Sequence, residues 1–347
     1  MPLPKPLTTL RRFLGSLLML LAVAMALPAL AQQPSRVNPT ADSVREQQLL
    51  DALKPGSQGI AGRASIPDPR APNLIQPAGR DWRVWRDTTL PRMGAILFSL
   101  MIVALVAFLA LRGRIKVEAG LSGHQVERFN SAERFAHWLM ATAFIVLAIT
   151  GLNVTYGRQL LLPVMGPETF TAFSQWAKYL HNYMSFAFVL GLVMVFVQWV
   201  LFNIPSIRDI SWIAQGGGII GKNHPPAAKF NFGQKLVFWI TIVGGALMAA
   251  TGYAMMFPYY EVPVAGLASY TTTIEGLQYV SYLHGLIAVI MITVIIAHIY
   301  IGTVGMQGAF WSMGTGKVDA NWAKQHHSVW AAKVLPQEMK GKPTPAE

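Results

Sequence analysis

Apolar positions in this chain come in long unbroken runs, not in the two-residue or three-to-four-residue rhythm of a half-buried strand or a surface helix. After residue 90, five stretches carry no Asp, Glu, Lys or Arg: 93–111, 135–157, 179–207, 236–260 and 276–316. A helix that crosses a hydrocarbon core of about 30 Å needs about 20 residues. Inside lipid every backbone polar group must be paired within its own segment, and no strand alternation appears, so the runs predict membrane-spanning helices. The last run is too long for one crossing; its helix is placed near 280–303, with the remainder at the surface. Gly151, Gly191, Gly244, Gly245, Gly252, Gly285 and Gly302 fall in or near these spans, where close helix packing is the ordinary use of a small residue.

The first 91 residues follow other rules. Arg11 and Arg12 precede an apolar run over 13–27, Pro28 breaks it, and Ala29-Leu30-Ala31 offers small residues at a cleavage site. That order is the order of a secretory signal peptide, expected over 1–31. Residues 32–91 hold eight prolines and read as an exported, extended Pro-rich strap. Ser43 and Glu46 could open one short helix through a capping box. Trp82 and Trp85 sit where an interfacial aromatic belt would lie.

Composition agrees with the membrane reading. Of 347 residues, 53% are hydrophobic and only 13% charged, whereas soluble domains carry about 25% charged residues. There is no cysteine, which excludes a disulfide, a thiolate nucleophile, a Cys-ligated iron–sulfur cluster and a thioether-linked haem. The net charge of +12 raises the question of nucleic acid, and the positions of the charges answer it. Arg112, Arg114, Lys116, Arg128 and Arg134 fall in one loop, and Arg208, Lys222, Lys229 and Lys235 in another two spans on. The alternate loops hold only Arg158 and Lys178 over 154–178 and no Lys or Arg over 258–280. The positive-inside rule therefore places the first set, and the tail from 307 with its lysines, on the cytoplasmic side. The N-terminal segment then lies outside, in agreement with a signal peptide. Insertion accounts for the basic charge, and no nucleic-acid partner is expected.

Four of the eight histidines, His137, His181, His284 and His298, lie within the charge-free runs. Ionisable side chains at membrane depth are costly and mark function. The other four, His124, His224, His326 and His327, fall in loops or the tail, where a solvated surface role is expected. Depth sorts the buried four into two pairs. His137 and His298 lie near the cytoplasmic face, His181 and His284 near the outer face. The fourteen residues between His284 and His298 turn a helix by about 1400°, close to four full turns, and rise about 21 Å. Both rings thus project from one stripe in opposite leaflets. A b-type haem takes two axial imidazoles from facing helices at one depth, so the pattern predicts two haems stacked across the bilayer. A zinc site wants its ligands clustered. A proton relay normally adds intramembrane carboxylates, and these runs have none. Met140, Met184 and Met291 are nearby and are assigned to packing. Buried hydrogen-bonding histidines of a haem-free transporter are a second reading of the same residues.

The segments ERFNSAERFAHWLMATAFIVLAITGL (127–152), HNYMSFAFVLGLVMVFVQW (181–199), HPPAAKFNFGQKLVFWITIVGGALMAATGY (224–253) and YLHGLIAVIMITVIIAHIYIGTVGM (282–306) resemble the cytochrome b (gamma) subunit of respiratory formate dehydrogenase. Features are shared with the b-type cytochromes of hydrogenase and thiosulfate reductase. The resemblance implies an all-α membrane protein. A four-helix di-haem core over 127–306 follows one extra transmembrane helix and loop over 92–126 and precedes a tail over 307–347. It assigns His181 and His284 to the outer haem and His137 and His298 to the inner haem. It also implies a quinone site at Asn231, Gly233 and His298, an iron–sulfur partner subunit and a catalytic formate-oxidising subunit, all at a bacterial inner membrane. Lys235, His224 and Glu133 are candidate proton carriers for that site, although membrane-edge charges are their simpler role. The chain would pass electrons without oxidising formate itself. The family's compact form lacks residues 1–126. A hydrogenase or another quinone-linked oxidoreductase is the alternative partner.

Overall fold

The computed structural model describes residues 77–218, 223–260 and 268–340. The expected signal peptide (1–31), the strap as far as residue 76 with its Ser43–Glu46 capping box, and Lys222 lie outside the described residues. Helix dominates, and five helical segments are long and apolar enough to cross a membrane: Gly79–Arg112, Ser131–Leu160, Pro167–Phe202, Phe232–Met256 and Ile274–Gly305. Large aliphatic side chains point outward along them, among them Val103, Leu190, Val197, Val243 and Ile290. An apolar surface on that scale suits lipid, not water.

In chain order, α1 (Pro77–Val84) passes through a π turn (Trp85–Thr89) into α2 (Leu90–Arg112). Strand β1 (Gln125–Glu127) leads to α3 (Ser131–Leu160), then α4 (Leu162–Met165) and α5 (Pro167–Trp199). The short α6 (Ile207–Ala214) precedes α7 (Phe232–Met256), α8 (Ala268–Thr272) and α9 (Ile274–Tyr300). A π turn (Ile301–Gly305) extends α9, and the chain ends with α10 (Ala309–Gly314), β2 (Lys317–Asp319), α11 (Ala320–His326) and α12 (Ser328–Lys340).

The chain divides into two compact units. The described part of the smaller, Gln159–Ala177 with Pro77, holds α4 and the first turns of α5, separated by Gly166 at φ 75°. The larger, Ala78–Arg158 with Lys178–Glu347, holds the remaining elements. In its middle layer, Ala143, Phe188, Leu192, Ile287 and Met291 form one buried cluster with Met140 against it, so Met140 and Met291 pack as expected. Gly191 is required here by close approach: a Cβ would stand 2.8 Å from the Met140 backbone, so α3 and α5 touch almost main chain to main chain.

Three differences from the sequence reading have physical causes. Residues 77–91 form helix, not extended strap. Proline is tolerated in the first turn of a helix; Pro77 opens α1 and Pro91 sits in the first turn of α2, with no proline between them. This leading segment packs on α9. Trp82 Nε1 donates to Ser281 Oγ (3.1 Å), the Trp85 and Tyr282 rings lie 4.4 Å apart, and Leu90 fills the space over Gly285. Tyr156 of α3 donates to the Pro91 carbonyl at 2.8 Å. The extra helix is therefore part of the bundle.

The second difference is that α3, α7 and α9 begin before their charge-free runs. Reciprocal side-chain caps satisfy the first-turn amides: Asn130 with Glu133 in α3, and Asn231 with Gln234 in α7. Thr273 caps α9. In α3 the first-turn charge, Glu133, is itself part of the cap. Third, the tail is not a free extension. Strand β2 pairs antiparallel with β1, with Val126 opposite Val318, and Ile115 bridges Met306. Val117, Val318, Trp322, Ala323 and Ala331 make a small second core beneath them. The two basic loops and the tail thereby share one end of the larger unit. His327 is 1% exposed and His326 half-buried, so neither has the solvated role expected of it.

Candidate functional site

The four intramembrane histidines come from α3, α5 and α9, and the bundle brings them together as two pairs. His137 of α3 faces His298 of α9 with ring centres 6.3 Å apart; His181 of α5 faces His284 of α9 at 6.4 Å. The distance is informative. Two imidazoles in a direct hydrogen bond have ring centres about 5 Å apart, counting about 2.9 Å between the nitrogens. Two imidazoles on opposite sides of one metal atom, with bonds of about 2.0 Å, have ring centres about 6.3 Å apart. The gap in both pairs therefore matches a single intervening metal atom. Among the described residues no cluster of three or more His, Asp or Glu could hold a metal ion, so any ligation there is by pairs.

The orientation of one pair is set by threonines that sequence reading had not singled out. Thr150 Oγ1 lies 2.7 Å from His181 Nδ1 and 2.8 Å from the Val146 carbonyl. Thr251 Oγ1 lies 2.8 Å from His284 Nδ1 and 2.7 Å from the Leu247 carbonyl. A hydroxyl has one hydrogen. With that hydrogen directed at its own helix carbonyl, the hydroxyl accepts from the imidazole, an arrangement that puts the proton on Nδ1 and leaves Nε2 as the free electron pair. Metal-bound histidines are oriented in this way by a partner on the other ring nitrogen. The following glycines, Gly151 and Gly252, lie against the same two rings, with a built Cβ 3.5 Å from His181 Cε1 and His284 Cε1 respectively. Thr-Gly recurs 31 and 33 residues before the histidine it supports, a repeat that could have been found in the sequence. At the other pair, His137 Nδ1 is buried without a hydrogen-bond partner.

Asn231 and Gly233, the other predicted site residues, sit in the first turn of α7. Asn231 is its N-cap, with Oδ1 accepting from the Gln234 amide at 2.9 Å. Gly233 lies beneath the Trp212 ring of α6, where a Cβ would approach to 3.3 Å. A small pocket lies here, lined in part by Asp209, Trp212, Asn231, Phe232 and Lys235. The charges around it are not the membrane-edge charges first supposed. Lys235 is 6% exposed and pairs with Asp209, 7% exposed, at 2.9 Å. Burial opposes ionisation of Asp209, but hydrogen bonds from Lys235 and the Ser206 amide, with the Lys235 charge, hold its carboxyl below the usual range. Glu133 is likewise buried, accepting from Trp199 Nε1 (2.8 Å) and Lys229 Nζ.

Behind the pocket, the loop entering α7 is held by the tail and by Arg128. His327 Nδ1 donates to the Ala228 carbonyl (2.8 Å), Val329 N to Ala227 O (3.1 Å), and Arg128 Nη2 to Lys229 O (2.7 Å). Arg128 lies among the Phe129, Trp322 and Trp330 rings and 3.1 Å from His327 Nε2. Burial lowers the Arg128 pKa to about 9 and the His326 pKa to about 4, and pushes His327 well below its ordinary value. His224, beside Glu118 at 3.2 Å, is mostly covered.

The model of the family described as prokaryotic cytochrome b561 matches residues 128–316. The cytochrome b556(fdo) subunit of formate dehydrogenase from Escherichia coli K12 is 28% identical over 211 residues, 60% of this chain and 93% of that protein. The nitrate-inducible cytochrome b556(Fdn) subunit from the same strain is 28% identical over 225 residues, 62% and 94%. A formate dehydrogenase cytochrome b556 subunit from Haemophilus influenzae is 26% identical over 219 residues, 59% and 82%.

Proposed function

Given that the chain belongs to the prokaryotic cytochrome b561 family, a membership that implies haem b, we propose that it is the membrane-anchoring cytochrome b subunit of a formate dehydrogenase complex. In this reading it takes electrons from an iron–sulfur partner subunit, passes them through two b haems, and delivers them to quinone. The catalytic formate-oxidising subunit is a separate chain. His181 and His284 hold the outer haem, and His137 and His298 the inner one. Asn231, Gly233 and His298 bind quinone near the cytoplasmic face of a bacterial inner membrane. The leading segment is exported and the tail cytoplasmic.

The observation that carries the reading is the pairing itself. Two sets of facing imidazoles, each with room for one metal atom, share α9 across a fourteen-residue interval. A bound haem supplies reversible one-electron chemistry. The chain's own residues supply the rest. Thr150 and Thr251 keep the protons of His181 and His284 on Nδ1 and present Nε2 to the gap. The packed layer of Phe188, Leu192, Ile287 and Met291 keeps water out between the pairs. At the α7 start, the Asn231 side chain and the first-turn amides offer donors to a quinone carbonyl, and Gly233 lets the Trp212 ring lie close to the backbone beside them.

A dithionite-reduced minus oxidised spectrum of the purified chain tests the haems, with b-type bands of two haems per chain expected. Absence of those bands overturns the reading in favour of a haem-free transporter. Purification with the natural partners, followed by assay with formate and with hydrogen as donors, separates formate dehydrogenase from hydrogenase.

A further inference from the structure

Quinone reduction consumes two protons for every two electrons, and the pocket at the start of α7 contains a buried acid–base pair. We propose that Lys235 and Asp209 deliver those protons, with Lys235 as the immediate donor to the quinone oxygen; this rests on the quinone site proposed above. Helix α6 places two side chains against the first turn of α7: Asp209 against Lys235, and, three residues on, Trp212 against Gly233. The ion pair therefore lines the same pocket as Trp212 and the N-cap residue Asn231. Lys235 Nζ donates to Asp209 Oδ2 and to the Ile204 carbonyl, both at 2.9 Å. Asp209 also accepts from the Ser206 amide at 2.6 Å. The charged groups lining the pocket, among the described residues, are Arg208, Asp209 and Lys235.

A purely structural account of this pair is weak. Two charges taken out of water cost several kcal/mol each, and apolar residues of similar volume are often as stable. Asp209 does close the cap of helix α6 with Ser206, but that cap needs only a carboxylate and not a buried Lys235 beside it. Lysine adds a proton that can leave, at a position 6% exposed and beside the pocket. In the step, the N–H bond of the Lys235 ammonium breaks and an O–H bond forms on the reduced quinone. The neutral amine stays bound to the Asp209 carboxylate. That carboxylate draws a replacement proton from solvent past Arg208, which is exposed. Two such transfers, with two electrons arriving from the haem side, complete quinol.

The test uses the intact complex with a short-chain benzoquinone and a short-chain naphthoquinone. K235R keeps the cation and the ion pair but has a guanidinium that does not release its proton in the working range. It should leave the haem spectrum, formate-driven haem reduction without quinone, and the quinone KM unchanged, and should lower kcat about a hundredfold, the lower range for a positioned general acid. The wild-type solvent isotope effect on kcat should change with it. D209N is the second variant; it should slow kcat most at high pH, where replacement protons are scarce. Wild-type kcat for K235R from pH 6 to 9, or a raised KM at unchanged kcat in both variants, overturns the proposal and makes the pair an anchor. A wild-type complex that reduces its haems with formate but neither quinone defeats the underlying site assignment instead.

Discussion

The two ends of the larger unit treat their histidines differently. Around His181 and His284, two threonine hydroxyls each fix one imidazole nitrogen, with the Trp85–Tyr282 ring contact close by. Around His137 and His298 no such hydroxyl stands at His137 Nδ1. The neighbouring loops instead hold buried ion pairs, three reciprocal helix caps and a folded tail. On the function proposed above, one end would hold rings still while electrons pass, and the other would admit protons and a larger substrate. A bundle that both receives electrons and reduces quinone needs the two kinds of environment, and needs them apart.

The most severe way to break this contrast is to remove a ring. H284A should eliminate one of two b-type signals and abolish electron delivery to quinone, while H298A should eliminate the other; spectra at controlled potential tell them apart. Equal loss of both signals from either variant would mean that the pairs are not independent sites. Next in size are T150V and T251V. Loss of an orienting partner typically costs about 10–100-fold in metal affinity or activity. Each should weaken haem retention at the His181–His284 pair and raise its potential, since an imidazole without its acceptor is a poorer donor to oxidised iron. Redox titration should find the other haem unmoved.

Glu133→Gln tests the opposite end. Removing one partner of a buried pair costs about 3–5 kcal/mol, and the value here should fall toward the low side because Lys229 retains 17% exposure. The thermal midpoint should drop, with both haem signals kept. The smallest effect is a pH response of the tail. His326 titrates at 6.5 when unfolded and near 4 when folded, through burial and then the His224 and Arg128 charges. The unfolded chain therefore binds the proton first, and the contribution of His326 to stability, full above pH 6.5, declines as pH falls toward 4. His327 shifts in the same direction. Hydrogen exchange over 317–335 should quicken at pH 5 relative to pH 7.5, while exchange around Thr150 and Thr251 stays constant.

Much of this was legible in the sequence because lipid makes the rules strict. A histidine within twenty apolar residues is conspicuous, and helical geometry then sorts four of them by depth. The threonines were not conspicuous, because a helical threonine ordinarily satisfies itself on the carbonyl four residues back, and both of these do so while serving a ring on the next helix. The ion pairs were hidden for another reason. Asp209 and Lys235 are 26 residues apart, Glu133 and Lys229 96 apart, and charge placement alone makes each a loop residue. The strap reading failed at 77–91 because proline content was averaged over a segment whose prolines stand at helix starts.

Helix α9 contributes one ring to each pair, fourteen residues apart. The interval between the two redox centres proposed here is thus ruled off by peptide bonds along a single rod. Thicker or thinner bilayers can tilt that rod without stretching it, so tunnelling between the centres is insulated from the lipid composition in which the protein works.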